Sequence, residues 1–251
     1  MQYMSPTFLA FILCITPPPG ENHLARGDEY YLALDNEHAL IEYKQAYKES
    51  PTDYTTLLRM VRIYNDNGKI HLRHDTVSES EYRTALMYAD SLEHYYPDSA
   101  ETQFWNALAK GSLLPFVGVW KKIAIGKEVK QHVQKSLERD STFSYPYVIR
   151  AIFEREGSKL SWLEKGVVRV VFGEDVSGTL EASVQNLKLA LRYDPANSFA
   201  YYELYLTYRA MEDTSQAAAS LRSILEIQPK NLREKFQQDE ARIHLLQLSG
   251  K

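Results

Sequence analysis

The chain has 251 residues, 44% hydrophobic and 25% charged, with a net charge of −4. That composition suits a globular protein of one large domain or two small ones, and the acidic balance argues against nucleic acid as the main partner. Cys14 is the only cysteine, which excludes intrachain disulfides and cysteine-rich zinc sites.

The first element is an apolar leader. Residues 8–15, FLAFILCI, are too few to span a bilayer but enough for a signal-peptide core. No Lys or Arg precedes them and no A-x-A-like site follows. Residues 1–19 therefore read as a degraded export signal, with an unprocessed leader on a cytoplasmic protein as the alternative. No later apolar run is long enough for a transmembrane span.

Beyond the leader the chain is punctuated. ESPTD (49–53), YYPDS (95–99), YDPAN (193–197) and IQPKN (227–231) each stand between successive runs of helical periodicity. Proline cannot continue a helix and biases its predecessor away from helical geometry, so each is a stop and a restart. Pro195 and Pro229 lie 34 residues apart, the period of the tetratricopeptide helix–turn–helix unit. Ala39, Ala85, Ser183 and Ala217 each stand twelve residues before a junction proline, where two helices must cross closely. RDSTF puts Ser141 in the proline's place, with Val129 twelve before it.

The junction intervals are 46, 44, 54 and 34 residues, which places extra residues near 65–80, 111–122 and 155–178, between the helices of a pair. The predicted fold is all-α: a tetratricopeptide-like right-handed superhelix. Its hairpins fall at about 20–53, 54–99, 100–143, 144–197 and 198–231, with a capping helix at 232–247.

The segment FWNALAKGSLLPFVGVWKKIAIGKEVKQHVQKSLERDS (104–141) resembles its counterpart in the regulator of microtubule dynamics family. There too a tryptophan-bearing helix, a short loop and a lysine-rich helix follow in that order. FEREGSKLSWLEKGVVRVVFGED (153–175) resembles that family's Trp-containing amphipathic segment, and the likeness covers about 100–247. The resemblance implies a helical repeat domain used for binding, in a family associated with microtubules and, for one member, with membrane contact sites and phospholipid.

No catalytic constellation stands out, and the chain reads as non-enzymatic, without cofactor or metal. His71, His74 and Asp75 cluster in HLRHD, but no third metal ligand is evident and a solvated loop is the better reading. Gly126-Lys127 lacks the other residues of a phosphate loop.

Binding is more legible. The first helix of each hairpin lines the concave side of such a superhelix, which gives Leu58, Arg59 and Arg62 from hairpin two. The groove candidates proper are Phe104, Trp105 and Leu108; Tyr145, Val148, Ile149 and Ile152; and Phe199, Tyr202 and Leu206. The apolar insertions supply lid candidates Phe116, Trp120, Trp162, Val171 and Phe172. Two occupants stay open: a protein segment, or a lipid or other apolar molecule roofed by the 111–122 and 155–178 insertions. A third reading is that the insertions fill the groove as ordinary core. Lys121, Lys122, Lys127, Lys130 and Lys135 either meet an acidic partner or form a plain solvated face.

Overall fold

The computed structural model describes residues 22–71, 75–173 and 178–249. The leader and His74 lie outside these residues, as does the Asp75 side chain. Among the described residues every regular element is helical. The helices are α1 His23–Leu32, α2 Asn36–Glu49, α3 Tyr54–Ile70, α4 Asp75–Tyr95, α5 Ala100–Ser112 and α6 Val119–Arg139. They continue as α7 Ser144–Ser158, α8 Trp162–Phe172, α9 Leu180–Tyr193, α10 Ser198–Ala210, α11 Thr214–Glu226 and α12 Leu232–Ser249, with a 3-10 turn at Leu114–Phe116. No described helix is long and apolar enough to cross a membrane.

The helices pair as α1 with α2, α3 with α4, α5 with α6, α7 with α9 and α10 with α11. Each outer helix then packs on the next inner one: α2 on α3, α4 on α5, α6 on α7, α9 on α10 and α11 on α12. This is the tetratricopeptide architecture. The extra residues behave differently from loops. The first two insertions are largely absorbed into longer helices, α3 of 17 residues and α4 and α6 of 21 each. The third forms α8, between the two partners of one pair.

The punctuation has a double action. Two residues after each of Pro51, Pro97, Pro195 and Pro229 stands the residue that caps the next helix: Asp53, Ser99, Asn197 and Asn231. Each side-chain oxygen accepts the backbone N–H three residues on, at 2.8 Å from Thr56, 3.3 Å from Thr102, 3.0 Å from Ala200 and 2.8 Å from Glu234. Such a cap stabilises a helix by about 1 kcal/mol, so one tetrapeptide both ends a helix and starts its successor. Within the first and last pairs the turn is tighter. Leu34 and Glu212 adopt left-handed conformations, with φ of 65° and 61°. The N–H of the following aspartate reaches back to Tyr30 O or Tyr208 O at 2.9 Å, closing a Schellman motif.

Close crossing depends on small residues. Ala39, Ala85, Ser183 and Ala217 have no exposed surface, and Val129 is 1% exposed. Gly27 of α1 lies on the ring of Tyr43 of α2, where a methyl group would overlap ring carbons. The buried side chains form two clusters, one around α1–α4 and one from α5 to α12, and Trp105 packs against both.

Candidate binding channel

The inner helices stack as α3, α5, α7 and α10, and α12 takes the next inner place against α10. It then goes further than a cap and packs against α3 as well. Arg233 Nη1 lies 3.5 Å from Asp66 Oδ1, and its guanidinium sits 5.1 Å from the centre of the Phe199 ring. Ser198 donates to Gln237 Oε1 at 3.0 Å, and Gln237 is 2% exposed. The concave side is thus a channel with a closing strut.

Two cavities occupy it. The first, about 440 Å³, lies toward the N-terminal ends of the inner helices; Phe104, Trp105, Phe143, Tyr145 and Phe199 form its aromatic wall. Asp28, Arg59, Arg62, Asp66, Glu101 and Lys230 make the rest of its lining mainly charged. The second, about 310 Å³, is more apolar and includes Leu114, Pro115, Val129, Ile149, Ile152 and Phe153. Leu108, Phe199, Arg233 and Gln237 line both and form the waist between them.

The charged side of the first cavity is tightly wired. Arg59 grips Asp28 with two hydrogen bonds, 2.6 Å from Nε and 3.1 Å from Nη2, and Tyr43 donates to the same carboxylate at 2.6 Å. Burial works to raise the Asp28 pKa, but these hydrogen bonds and the positive charge of Arg59 and Arg62 outweigh it and hold it below the usual value. Asp66 goes the other way: burial dominates and raises its pKa, although Arg233 and the Tyr31 hydroxyl, 2.5 Å away, oppose the shift. Arg62 spreads over the Tyr31 ring at 4.1 Å, and its Nε has no hydrogen-bond partner. Tyr145 is pushed up to about 12, chiefly by burial.

Among the groove candidates, Phe104, Trp105, Leu108, Tyr145 and Phe199 line the first cavity. Leu108, Ile149, Ile152, Phe199 and Tyr202 line the second. Val148 and Leu206 line neither; Val148 is fully buried in the core, and Leu206 packs against that core. Of the lid candidates, Trp120 and Trp162 are exposed and line neither cavity. Phe116 sits with its ring 6.2 Å from that of Tyr82, while its neighbours Leu114 and Pro115 reach the second cavity. The Val171 and Phe172 side chains lie outside the described residues. Sequence reasoning missed Asp66, Phe143 and Arg233. The polar sequence of α12 carries no signal for them, since the burial of Gln237, Gln238 and Ala241 emerges only from the packing.

Among the described residues no group of three His, Cys, Asp or Glu side chains is placed to hold a metal ion. The family model for regulator of microtubule dynamics protein 1-3 matches residues 23–249. The chain belongs to the regulator of microtubule dynamics family. The match starts with α1 and so covers the first two hairpins as well as the later ones. Regulator of microtubule dynamics protein 3 of Rattus norvegicus is 27% identical over 167 residues, 64% of this chain and 34% of that protein. Protein 1 of Mus musculus is 23% identical over 178 residues, 70% of this chain and 57% of that one. The chain thus spans between a third and three-fifths of the length of these two relatives. Among solved structures, a thermophilic TPR protein of Thermus thermophilus aligns with a TM-score of 0.61 at 17% identity, covering 88% of this chain and 98% of that one. At that identity the likeness concerns the fold alone.

Proposed function

We propose that this regulator of microtubule dynamics family member is a non-catalytic scaffold that holds a protein segment in the first cavity. The observation that carries this reading is the pairing of an aromatic wall with the part-exposed guanidinium of Arg62 in one cavity. An extended peptide offers both complements: an apolar side chain for Phe104, Trp105 and Tyr145, and a carbonyl or carboxylate oxygen for the guanidinium. Because relatives are named for microtubule dynamics, tubulin is the first source of such a segment to test. Peptides selected from a tubulin-derived and a random library should lose at least ~10-fold in affinity to Tyr145→Ala and to Arg62→Ala, a loss of about 1.4 kcal/mol. Undiminished binding to both variants would remove the first cavity as the site.

The second cavity favours a second reading, an apolar small molecule or lipid. Its volume of about 310 Å³ and its lining of Leu108, Ile149, Ile152 and Phe199 match a compact apolar ligand. Native mass spectrometry of the protein should then show a retained mass that Ile152→Trp, by filling the space, expels.

A further inference from the structure

We propose that Lys69, on the wall of the second cavity, is a reactive amine that captures a compact apolar aldehyde as an imine. The proposal rests on the second reading of that cavity, as a site for an apolar small molecule.

Lys69 belongs to the first insertion and stands in the last turn of α3. Two contacts from α4 fix that turn. Ser78 Oγ donates to Gly68 O, and the Tyr82 ring lies so close on Gly68 that a methyl group there would overlap it. All three insertions supply lining to the cavity: Lys69 from the first, Gly111, Leu114 and Pro115 from the second, and Glu156 from the third. The residues that depart from the standard repeat unit thus help to build this space.

The amine is the unpaired polar group of the wall. Lys69 Nζ lies 5.6 Å from the centre of the Tyr202 ring, at the far edge of cation–π range. Among the described residues it makes no hydrogen bond and has no carboxylate within ion-pair range. The other charges around it are taken. Glu203 meets Arg155 at 2.7 Å, Glu156 meets Lys159 at 2.7 Å, and Arg233 meets Asp66 at 3.5 Å. Burial pushes the Lys69 pKa down; Glu240 of α12 and Glu203 oppose the shift from farther off, and Arg233 adds to it. A lysine so placed yields its proton more readily and exposes a nucleophilic lone pair.

Charge and shape select the ligand. A carboxylate would have to enter among Glu156, Glu203 and Glu240 for the sake of one ammonium. A neutral carbonyl meets no such repulsion and brings an electrophilic carbon. The Nζ lone pair attacks that carbon and forms the C–N bond. The carbonyl oxygen then leaves as water with both amine protons, and the C=N bond remains. Leu108, Ile149, Ile152 and Phe199 take the apolar body and exclude the water that would reverse the step.

The test treats the full chain with benzaldehyde and sodium cyanoborohydride, whose hydride reduces the imine to a stable amine, and maps modified lysines by mass spectrometry. Lys69 should be labelled at least ~10-fold faster than exposed Lys121, because the cavity holds the carbonyl at high effective concentration. Benzyl alcohol, which has the same body without the carbonyl, should protect Lys69 and leave Lys121 unaffected. Ile152→Trp should slow labelling at Lys69 alone. Uniform labelling of the lysines would overturn the proposal. If benzyl alcohol is nonetheless retained in native mass spectra, the apolar site stands without its amine chemistry; if it is not, that reading of the cavity falls as well. Preferential labelling that neither benzyl alcohol nor Ile152→Trp reduces would place the reaction outside the cavity and would equally sink the proposal.

Discussion

Arg233 of α12 meets Asp66 of α3 across the channel, so the last helix of the chain is held by the second hairpin. Asp66 is buried, with the Tyr31 hydroxyl as its other close partner. Arg233→Met should therefore leave a poorly compensated carboxylate in the interior and cost about 3 kcal/mol in urea unfolding. Asp66→Asn in the same background should recover much of that loss, because a neutral amide tolerates burial better than an unpaired charge. Additive effects in the double-mutant cycle would show that the two side chains do not interact.

Gly27 poses a contest of two effects. In the middle of a helix Gly→Ala ordinarily gains about 1 kcal/mol. Here the new methyl overlaps the ring of Tyr43, which has no exposed surface, and overpacking costs about 1–3 kcal/mol. A buried aromatic ring cannot swing aside, so Gly27→Ala should destabilise. With Tyr43→Leu already in place the sign should reverse. A stabilising Gly27→Ala in the parent would show that α1 and α2 do not cross this closely.

His132 should make stability depend on acid. Gln103 donates its amide N–H to Pro97 O at 2.7 Å, so its Oε1 must accept from His132 Nδ1, 2.8 Å away. Nδ1 thus carries a proton, and burial favours the neutral ring, lowering its pKa below 6.5 despite the pull of Glu93. A depressed folded pKa means that the unfolded chain takes up the proton more readily. The neutral ring's contribution is present above about pH 6.5 and is lost as pH falls through the folded value. Melting curves from about pH 8 to about pH 5 should show a decline that His132→Gln reduces. Parallel profiles for parent and variant would exclude this histidine.

The architecture was legible because its determinants are local. Pro195 and the cap residue Asn197 are two positions apart, and the spacing from Ala217 to Pro229 lies within a single helix and its turn. The inner surface was only half legible. An inner helix is covered by its own partner on one side and by the neighbouring hairpin on another, so its apolar stripe is broad. Val148 and Ile149 share that stripe, yet only Ile149 reaches a cavity. The insertions misled for a related reason. Trp120 and Trp162 are apolar enough to suggest a roof, but α6 and α8 turn them to the outside. Arg233 was illegible as a channel residue, since its partner belongs to a hairpin far away in sequence.

That distant partnership changes how the array comes apart. In an open array each unit answers only to its neighbours, so an end can fray while the middle persists. Here α12 cannot detach alone, because its departure uncovers Asp66 and removes one wall of both cavities. The first hairpins and the last helix are thus joined in one cooperative unit, and the loss of either end is felt at the other.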